Sequence, residues 1–389
     1  MKIGFFEVRL FGLTRFPKWI AEEILNDPRN VGVEFVFFYD QDDVIDKQSV
    51  ISSLPEGSKV VKVDPKSSKS LVKLLNSYQI DRLMVTAQRI PDSAVIACCK
   101  KLGIKTIMYQ HGLYIPFMKR EASLFYKNII KTIRYALYAK IVGELSGESS
   151  IDTLRKFLNI FVFGKNYRQA GISLDKVNVD KVLVYGTHWK SYHNEQYGYL
   201  DSSQVVVGAP DFDGWPRVGL KPVSGEVCYV AQTLVEDGRL ARPLMEDFLR
   251  KLSFAVRKSG LSLVIKLHPR SDMSLYEDFV EFAKFESSNF PQSHIYIGHY
   301  SSILSKATFV TDKICLIDFP GHDIPSYISL VANNRINYSD IDSLLEYLMN
   351  ANSEDISQGV LNDNIQKQDH YFDSSVIKPI QAAAHEVLK

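Results

Sequence analysis

The sequence predicts an α/β protein of two doubly wound domains with a cleft between them. Three observations predict it. Short apolar, β-branched runs alternate with longer amphipathic stretches almost from end to end. A Gly/Pro/Asp cluster, Gly208-Ala209-Pro210-Asp211-Phe212-Asp213-Gly214-Trp215-Pro216, interrupts that alternation as a linker does. The 389 residues are enough for two or three domains of ~150 residues each. Alternating β and α segments imply mainly parallel sheets with helices on both faces.

In the first domain, strands are expected at Lys2–Val8, Val33–Tyr39, Arg82–Thr86, Lys105–Tyr109 and Val182–Gly186. Helices are expected between them at Pro17–Asn26, Ser68–Ser77, Pro91–Leu102 and His188–Tyr199. Pro17 and Pro91 suit a first helical turn, where a missing N–H costs nothing. A second series begins at Gln204–Val207 and passes through the linker. Its strands are expected at Val227–Ala231, Ser262–Leu267, His294–Gly298, Thr308–Thr311 and Ile314–Ile317. Its helices are expected at Arg242–Ser259, Met273–Phe285, Ser302–Lys306 and Asp340–Ala351, and Val376–Val387 reads as a terminal helix. The expected domains are residues 1–207 and 208–372, with 373–389 packing back on the first.

Residues 119–140 break the rhythm. The segment has a helical pattern with six cations and one acid, Glu121, interleaved with Phe125, Tyr126, Ile129, Ile130 and Ile133. A basic amphipathic helix can lie on an anionic membrane, here the inner membrane, or line a groove for an acidic partner. The preferred reading is the plainer one, a long surface helix whose apolar stripe packs on its domain, with solvated lysines.

Composition narrows the function. Lys and Arg number 46 against 45 Asp and Glu, so the chain lacks the basic excess of a nucleic-acid-binding protein. No apolar run reaches 18 residues. The N-terminus runs straight into a strand without a signal-peptide pattern. Cys98, Cys99, Cys228 and Cys315 sit in apolar runs without metal-ligand spacing, as reduced thiols of a cytoplasmic protein do. Gly-x-Gly-x-x-Gly after the first strand, a P-loop, Gly-x-Ser-x-Gly and His-Glu-x-x-His are all missing. Asp40-Gln41-Asp42 and Asp211-Phe212-Asp213 have divalent-ion spacing, but they fit turns better than metal ligation.

Four segments carry candidate chemistry, each at the carboxyl end of an expected strand, the edge at which open α/β sheets bind ligands. Lys266-Leu267-His268-Pro269-Arg270 comes first. Pro269 restrains His268 to an extended backbone, so the imidazole can donate to a departing phosphate, with Lys266 and Arg270 adding charge. In Gly298-His299-Tyr300-Ser301-Ser302, Gly298 permits a tight turn, and Ser301 and Ser302 open a helix whose N–H groups favour phosphate. Serine N-capping is the plain alternative. In Gln110-His111-Gly112, Gly112 permits a turn and His111 can take a proton from an acceptor hydroxyl, or simply brace its loop. Gln232 and Thr233 can hydrogen-bond a nucleotide, and Glu236 and Asp237 close that loop as ligands or solvated charges.

The Lys266-Leu267-His268-Pro269 strand end, followed some thirty residues on by Gly298-His299-Tyr300-Ser301-Ser302, resembles bacterial GT-B glycosyltransferases that use CMP-activated nonulosonic acids or Kdo. Sialyltransferases, polysialyltransferases and capsule Kdo transferases belong to that group. The resemblance covers part of the second domain, with domain order agreeing over the whole chain. It implies two Rossmann-like domains, His268 at the phosphate leaving group, and Ser301 and Ser302 on the CMP phosphate. It also implies transfer to a capsular or lipopolysaccharide glycan without a metal. The group's acidic base motif is replaced here by Gln110-His111-Gly112, an element similar to that of other capsule and teichoic-acid transferases. His111 is then the candidate base, and Glu286 the candidate ribose ligand. A CDP-glycerol phosphotransferase, a UDP-sugar transferase and a non-catalytic, membrane-held assembly subunit are the competing readings.

Overall fold

A computed structural model describes residues 1–389 except 43–45, 113–128, 217–219, 237, 322–323, 325–331, 333 and 374. The chain divides into two compact units, residues 1–213 with 375–389, and residues 214–374.

The first unit runs β1 (Lys2–Arg9), α1 (Phe16–Asn26), β2 (Glu34–Gln41), β3 (Lys59–Lys62), α2 (Ser68–Tyr78), β4 (Arg82–Val85), α3 (Ile90–Leu102) and β5 (Lys105–Tyr109). It continues with α4 (Ile129–Ser146), α5 (Ser150–Phe163), β6 (Lys181–Val184), α6 (Thr187–Tyr197) and β7 (Gln204–Val206). Short helices at Lys47–Ser52, Tyr167–Ala170 and Leu174–Val177 sit in the connections. The sheet order is β3-β2-β1-β4-β5-β6-β7, and every pairing is parallel. β1 lies near the centre and is apolar on both faces, with Ile3, Phe5 and Phe6 fully buried, as a strand covered on both sides must be. Gly4 is needed there because a Cβ would meet Ile80 Cδ1 at 2.8 Å.

The second unit runs β8 (Val223–Val230), α7 (Arg242–Lys258), β9 (Ser262–Lys266), β10 (Ala283–Glu286), β11 (Ser293–Gly298), a 3-10 turn (Ser302–Phe309), β12 (Ile314–Asp318), β13 (Asn334–Asn337), α8 (Ile341–Ser353) and α9 (Gln358–Phe372). Its sheet, β10-β9-β8-β11-β12-β13, is also parallel throughout and repeats the doubly wound order. Phe248, Leu249 and Leu252 of α7 join Leu344 and Leu348 of α8 in one core with Tyr229, Ile265, Ile297 and Ile317 from the strands.

The terminal helix α10 (Pro379–Leu388) belongs to the first unit and packs on α1. Arg82 Nη1 donates to Val387 O at 2.6 Å, and Lys181 Nζ lies 2.8 Å from Glu386 Oε2. Cations thus meet the negative end of the helix.

Three expectations need correction. Met273–Phe285 is not a helix: it forms two 3-10 turns, Met273–Leu275 and Glu277–Phe279, and then β10. Leu275, Tyr276 and Phe279 are buried at spacings that imitate a helix, but the chain must extend afterwards to pair Ala283–Glu286 with β9. Thr308–Thr311 is not a strand, because Thr308 and Phe309 finish the 3-10 turn. Gln204–Val207 does not begin the second sheet, since β7 closes the first by pairing with β6. Of the basic segment 119–140, residues 119–128 lie outside the described residues; from Ile129 it is the helix α4.

Candidate functional site

In the second sheet, β8 is followed by β9 on one side and β11 on the other, so the winding reverses between β8 and β11. The loops beyond β9, β8 and β11 therefore stand side by side at the switch point, where a crevice opens in such sheets. The segments around His268, Thr233 and Ser301 occupy these three neighbouring loops.

The loop after β9 is a closed turn. His268 N donates to Ser271 Oγ at 3.1 Å and Ser271 N donates back to His268 O at 2.9 Å. Arg270 N donates to His268 Nδ1 at 3.1 Å. With Nδ1 accepting, the neutral imidazole carries its proton on Nε2. His268 is half-buried, while Pro269 and Arg270 are exposed. Arg270 reaches across to the loop after β8, where its Nη2 donates to Thr233 Oγ1 at 3.0 Å. Glu236 of that loop accepts Asp272 N at 2.8 Å. Gln232 is half-buried, and its Oε1 is sealed from water without a hydrogen-bond donor among the described residues.

The loop after β11 is held from two sides. His299 is buried, with Nδ1 3.1 Å from Ile317 O and Nε2 2.9 Å from Tyr229 Oη. A carbonyl only accepts, so Nδ1 holds the proton and Nε2 takes the tyrosine hydroxyl. Arg239 Nη1 donates to Tyr300 Oη at 3.4 Å, tying the β8 loop to the β11 loop. Ser301 precedes the 3-10 turn without capping it, and its half-buried hydroxyl has no hydrogen-bond partner among the described residues. Gln368 of α9, almost wholly buried, donates to Ser305 O and Thr308 Oγ1 and so braces the turn from behind.

Two residues are placed differently from the sequence expectation. Lys266 does not flank His268: it is buried, and its Nζ donates to Ser287 O at 2.5 Å beyond β10. Leu263, Ile265 and Leu267 face the α7–α8 core, so the alternation of the strand sends Lys266 to the other side. Burial lowers the Lys266 pKa. Gly298 is not at a positive φ. Its requirement is space, because a Cβ would lie 3.3 Å from Leu304 Cδ2. Glu286 accepts the amides of Ser288 and Asn289 at 2.8 and 2.9 Å and so closes a turn.

The corresponding edge of the first unit carries His111. Gln110 is fully buried and clamps the loop: its Oε1 accepts Tyr185 N at 3.1 Å and its Nε2 donates to Gly112 O at 3.0 Å. Gly112 adopts φ +65°, and its amide donates to Tyr185 Oη at 2.9 Å. The turn reading of Gly112 holds. His111 stands edge-on to Phe16, ring centres 5.0 Å apart. Water reaches its side chain, yet the surrounding protein partly desolvates it, and this with the charges of Arg15 and Arg89 lowers its pKa below the usual 6.5. It is therefore neutral at physiological pH.

Beside it lies a network the sequence reading did not single out. Buried Glu7, at the end of β1, accepts from Thr86 Oγ1 and from Arg89 Nη2, the latter at 3.0 Å. Arg89 also pairs with buried Asp92 through Nε at 2.7 Å and Nη2 at 3.0 Å. Glu7 next to a strand terminus was the available signal, but nothing local links it to residues some eighty positions away. Asp40 proves to be a buried pin at the end of β2, accepting from Arg134 Nη2 at 2.6 Å and from Tyr138 Oη.

No protein-family model matches this chain, and no curated protein matches it in sequence. Solved structures do match its fold. The wall teichoic acid polymerase TagF, in a variant soaked with CDPG, aligns over 100% of this chain and 88% of its own, with a TM-score of 0.54 and 13% identity. UGT2 of Phytolacca americana, complexed with UDP-2-fluoroglucose and pterostilbene, aligns over 100% and 98%, with a TM-score of 0.53 and 10% identity. The UDP-GlcNAc 2-epimerase of Neisseria meningitidis, bound to UDP-GlcNAc, aligns over 100% and 99%, with a TM-score of 0.51 and 10% identity. The chain has the GT-B fold shared by these glycosyltransferases and epimerases.

Proposed function

We propose that this chain is an inverting glycosyltransferase that moves a sialic-acid-like nonulosonic acid, or Kdo, from its CMP ester to a hydroxyl of a surface glycan. A transferase reading is supported by the fold shared with UGT2 and TagF. The observation that carries the donor half is the hydrogen bond from Arg270 N to His268 Nδ1, which leaves the Nε2–H as the proton-bearing edge of a histidine at the switch point.

When the bond between the anomeric carbon and the phosphate oxygen breaks, its electron pair stays with CMP and oxocarbenium character builds on the sugar. His268 Nε2–H donates to that phosphate oxygen, and the hydroxyls of Ser301 and Ser302 hydrogen-bond the remaining oxygens. The acceptor hydroxyl attacks the opposite face of the anomeric carbon and its proton passes to His111. Arg270, steadied by Thr233, adds charge next to the phosphate. Because protein donors neutralise the leaving group, the reaction needs no metal.

One alternative has its own support. Gln110-His111-Gly112 is similar to an element of teichoic-acid transferases, and TagF, whose variant was soaked with CDPG, shares the fold. A CDP-glycerol phosphotransferase is therefore the second reading.

The test measures nucleotide release with and without acceptor in excess EDTA: CMP from a panel of CMP-sugars and from CDP-glycerol, and UDP from UDP-sugars. Turnover of a CMP-nonulosonate or CMP-Kdo in EDTA is expected. Turnover of CDP-glycerol alone selects the second reading, and inactivity toward all donors refutes both. His268→Ala should lower turnover by about 10²-fold or more while changing donor affinity much less. An unchanged rate would remove His268 from the reaction.

A further inference from the structure

Helix α5 is apolar on two opposite faces. Phe157 and Ile160 are buried on one side. On the other, Ile151, Leu154 and Leu158 recur at helical spacing and are 80%, 45% and 44% exposed, with Phe163 at 61% at the end of the helix. A solvated helix normally keeps its outer face polar, so an apolar outer stripe calls for a cover that water does not provide. Arg155 lies within the stripe, exposed and without a carboxylate partner among the described residues. The adjoining helix α4, packed against α5, exposes Ile133 and Leu137 as well.

Charge identifies the cover. Residues 129–168, which include both helices, hold seven lysines and arginines against three acids. That stretch nets +4 in a chain whose total is +1, so the rest of the molecule nets −3. A basic field around an apolar stripe matches an anionic bilayer: the phosphates attract the cations, and the acyl boundary takes Ile151, Leu154 and Leu158. A second copy of the chain would bring the same positive field against itself and repel. We propose that the outer face of α5 docks this protein on an anionic lipid surface, with the helix lying in the interfacial plane. The assignment does not depend on which donor the enzyme uses.

Flotation of the full chain with vesicles tests it. Vesicles of equal parts phosphatidylglycerol and phosphatidylcholine should carry the protein at low salt and release much of it at high salt, since exposed charges are screened. Vesicles of phosphatidylcholine alone should carry little. The triple variant Ile151→Ser/Leu154→Ser/Leu158→Ser alters exposed positions only, so it should keep the wild-type melting temperature and lose about tenfold or more in partitioning. As a fold-independent readout, the indole of Leu158→Trp should show a blue shift and quenching by brominated lipid. Equal binding to both vesicle types, unchanged binding by the triple variant, or an unshifted emission from Leu158→Trp would each overturn the proposal. So would a wild-type dimer in light scattering that the triple variant dissolves, which would make this face a protein–protein contact.

Discussion

Imidazoles in this chain are set by what their ring nitrogens and their surroundings allow. His268 accepts at Nδ1 and is thereby made a donor at Nε2, whereas His299 donates at Nδ1 and is used up as a brace. That distinction was half legible: both residues follow a strand in the sequence, and only the fold shows that His299 is sealed beneath Tyr229, Phe248 and Phe319. Lys266 escaped the sequence reading for a related reason, since the parity of its strand decides its side and a flanking cation cannot be told from a buried one by adjacency. His193 gives a residue-scale prediction. It is fully buried among Tyr192, Tyr197 and Tyr199, and burial lowers its pKa to about 3. The unfolded chain, with an ordinary histidine near 6.5, binds this proton more readily than the native state does. The stability associated with the neutral ring is therefore complete above pH 6.5 and falls as pH drops toward the native value. Between pH 7 and pH 5 the loss should be about 2 kcal/mol from this group. Urea unfolding at the two pH values should show a smaller acid loss in His193→Phe than in wild type, and an identical loss would show that His193 is not the source.

Elements whose two faces are both buried were readable, because a run such as Phe35–Phe38 in β2 admits few alternatives. The missed strands are the outer ones. β3 and β13, Lys59–Lys62 and Asn334–Asn337, lie at sheet edges, carry exposed polar residues and so lack the apolar run that marks a strand. Helix α9 hides in a polar sequence for the opposite reason: it is read only when Gln368 is seen bracing the 3-10 turn beside Ser301. The terminal helix α10 was legible as a helix, but its anchoring was not. Its approach passes directly over Gly208, whose φ is +78° and whose missing Cβ would lie 3.0 Å from Val376 Cβ and 3.1 Å from Pro379 Cγ. Asp213 Oδ1 accepts Ile380 N at 3.1 Å at the start of the helix. Gly208→Ala therefore combines backbone strain with a clash against two rigid residues. It should destabilise the first unit by about 1–3 kcal/mol. Thermal unfolding and proteolysis near residue 376 should both report it, whereas Gly214→Ala, also at positive φ but with nothing within 4 Å, should show the strain alone.

At the scale of the whole molecule, two sheets of like winding are built on separate cores, and the residues assigned to the donor phosphate all come from the second. A ligand that binds only the folded form raises stability by RT ln(1 + [L]/Kd), and the gain goes to the part of the chain it touches. At a hundredfold excess over Kd that amounts to about 2.7 kcal/mol. CMP should accordingly slow amide exchange in the loops at 231–236, 267–272 and 299–304 and raise the melting of residues 214–374. It should leave the opposite, amino edge of the first sheet, around Arg82 and Lys105, unprotected. That contrast matters because a cavity of about 470 Å³ lies at that edge, lined by Arg82, Lys100, Lys105, Thr106, Lys181 and Glu386 among others. Its cations have another explanation, since α3 and α10 both end there and Lys100, Lys181 and Arg82 meet their carbonyl ends or neighbouring carbonyls. If CMP protected the amides lining this cavity instead of the three switch-point loops, the volume rather than the winding of the sheet would locate the nucleotide, and His268, Ser301 and Ser302 would lose their assigned work together. Protection confined to the loops at 231–236, 267–272 and 299–304, and weakened by Ser301→Ala, ties the nucleotide to the place where the chain reverses direction across its sheet.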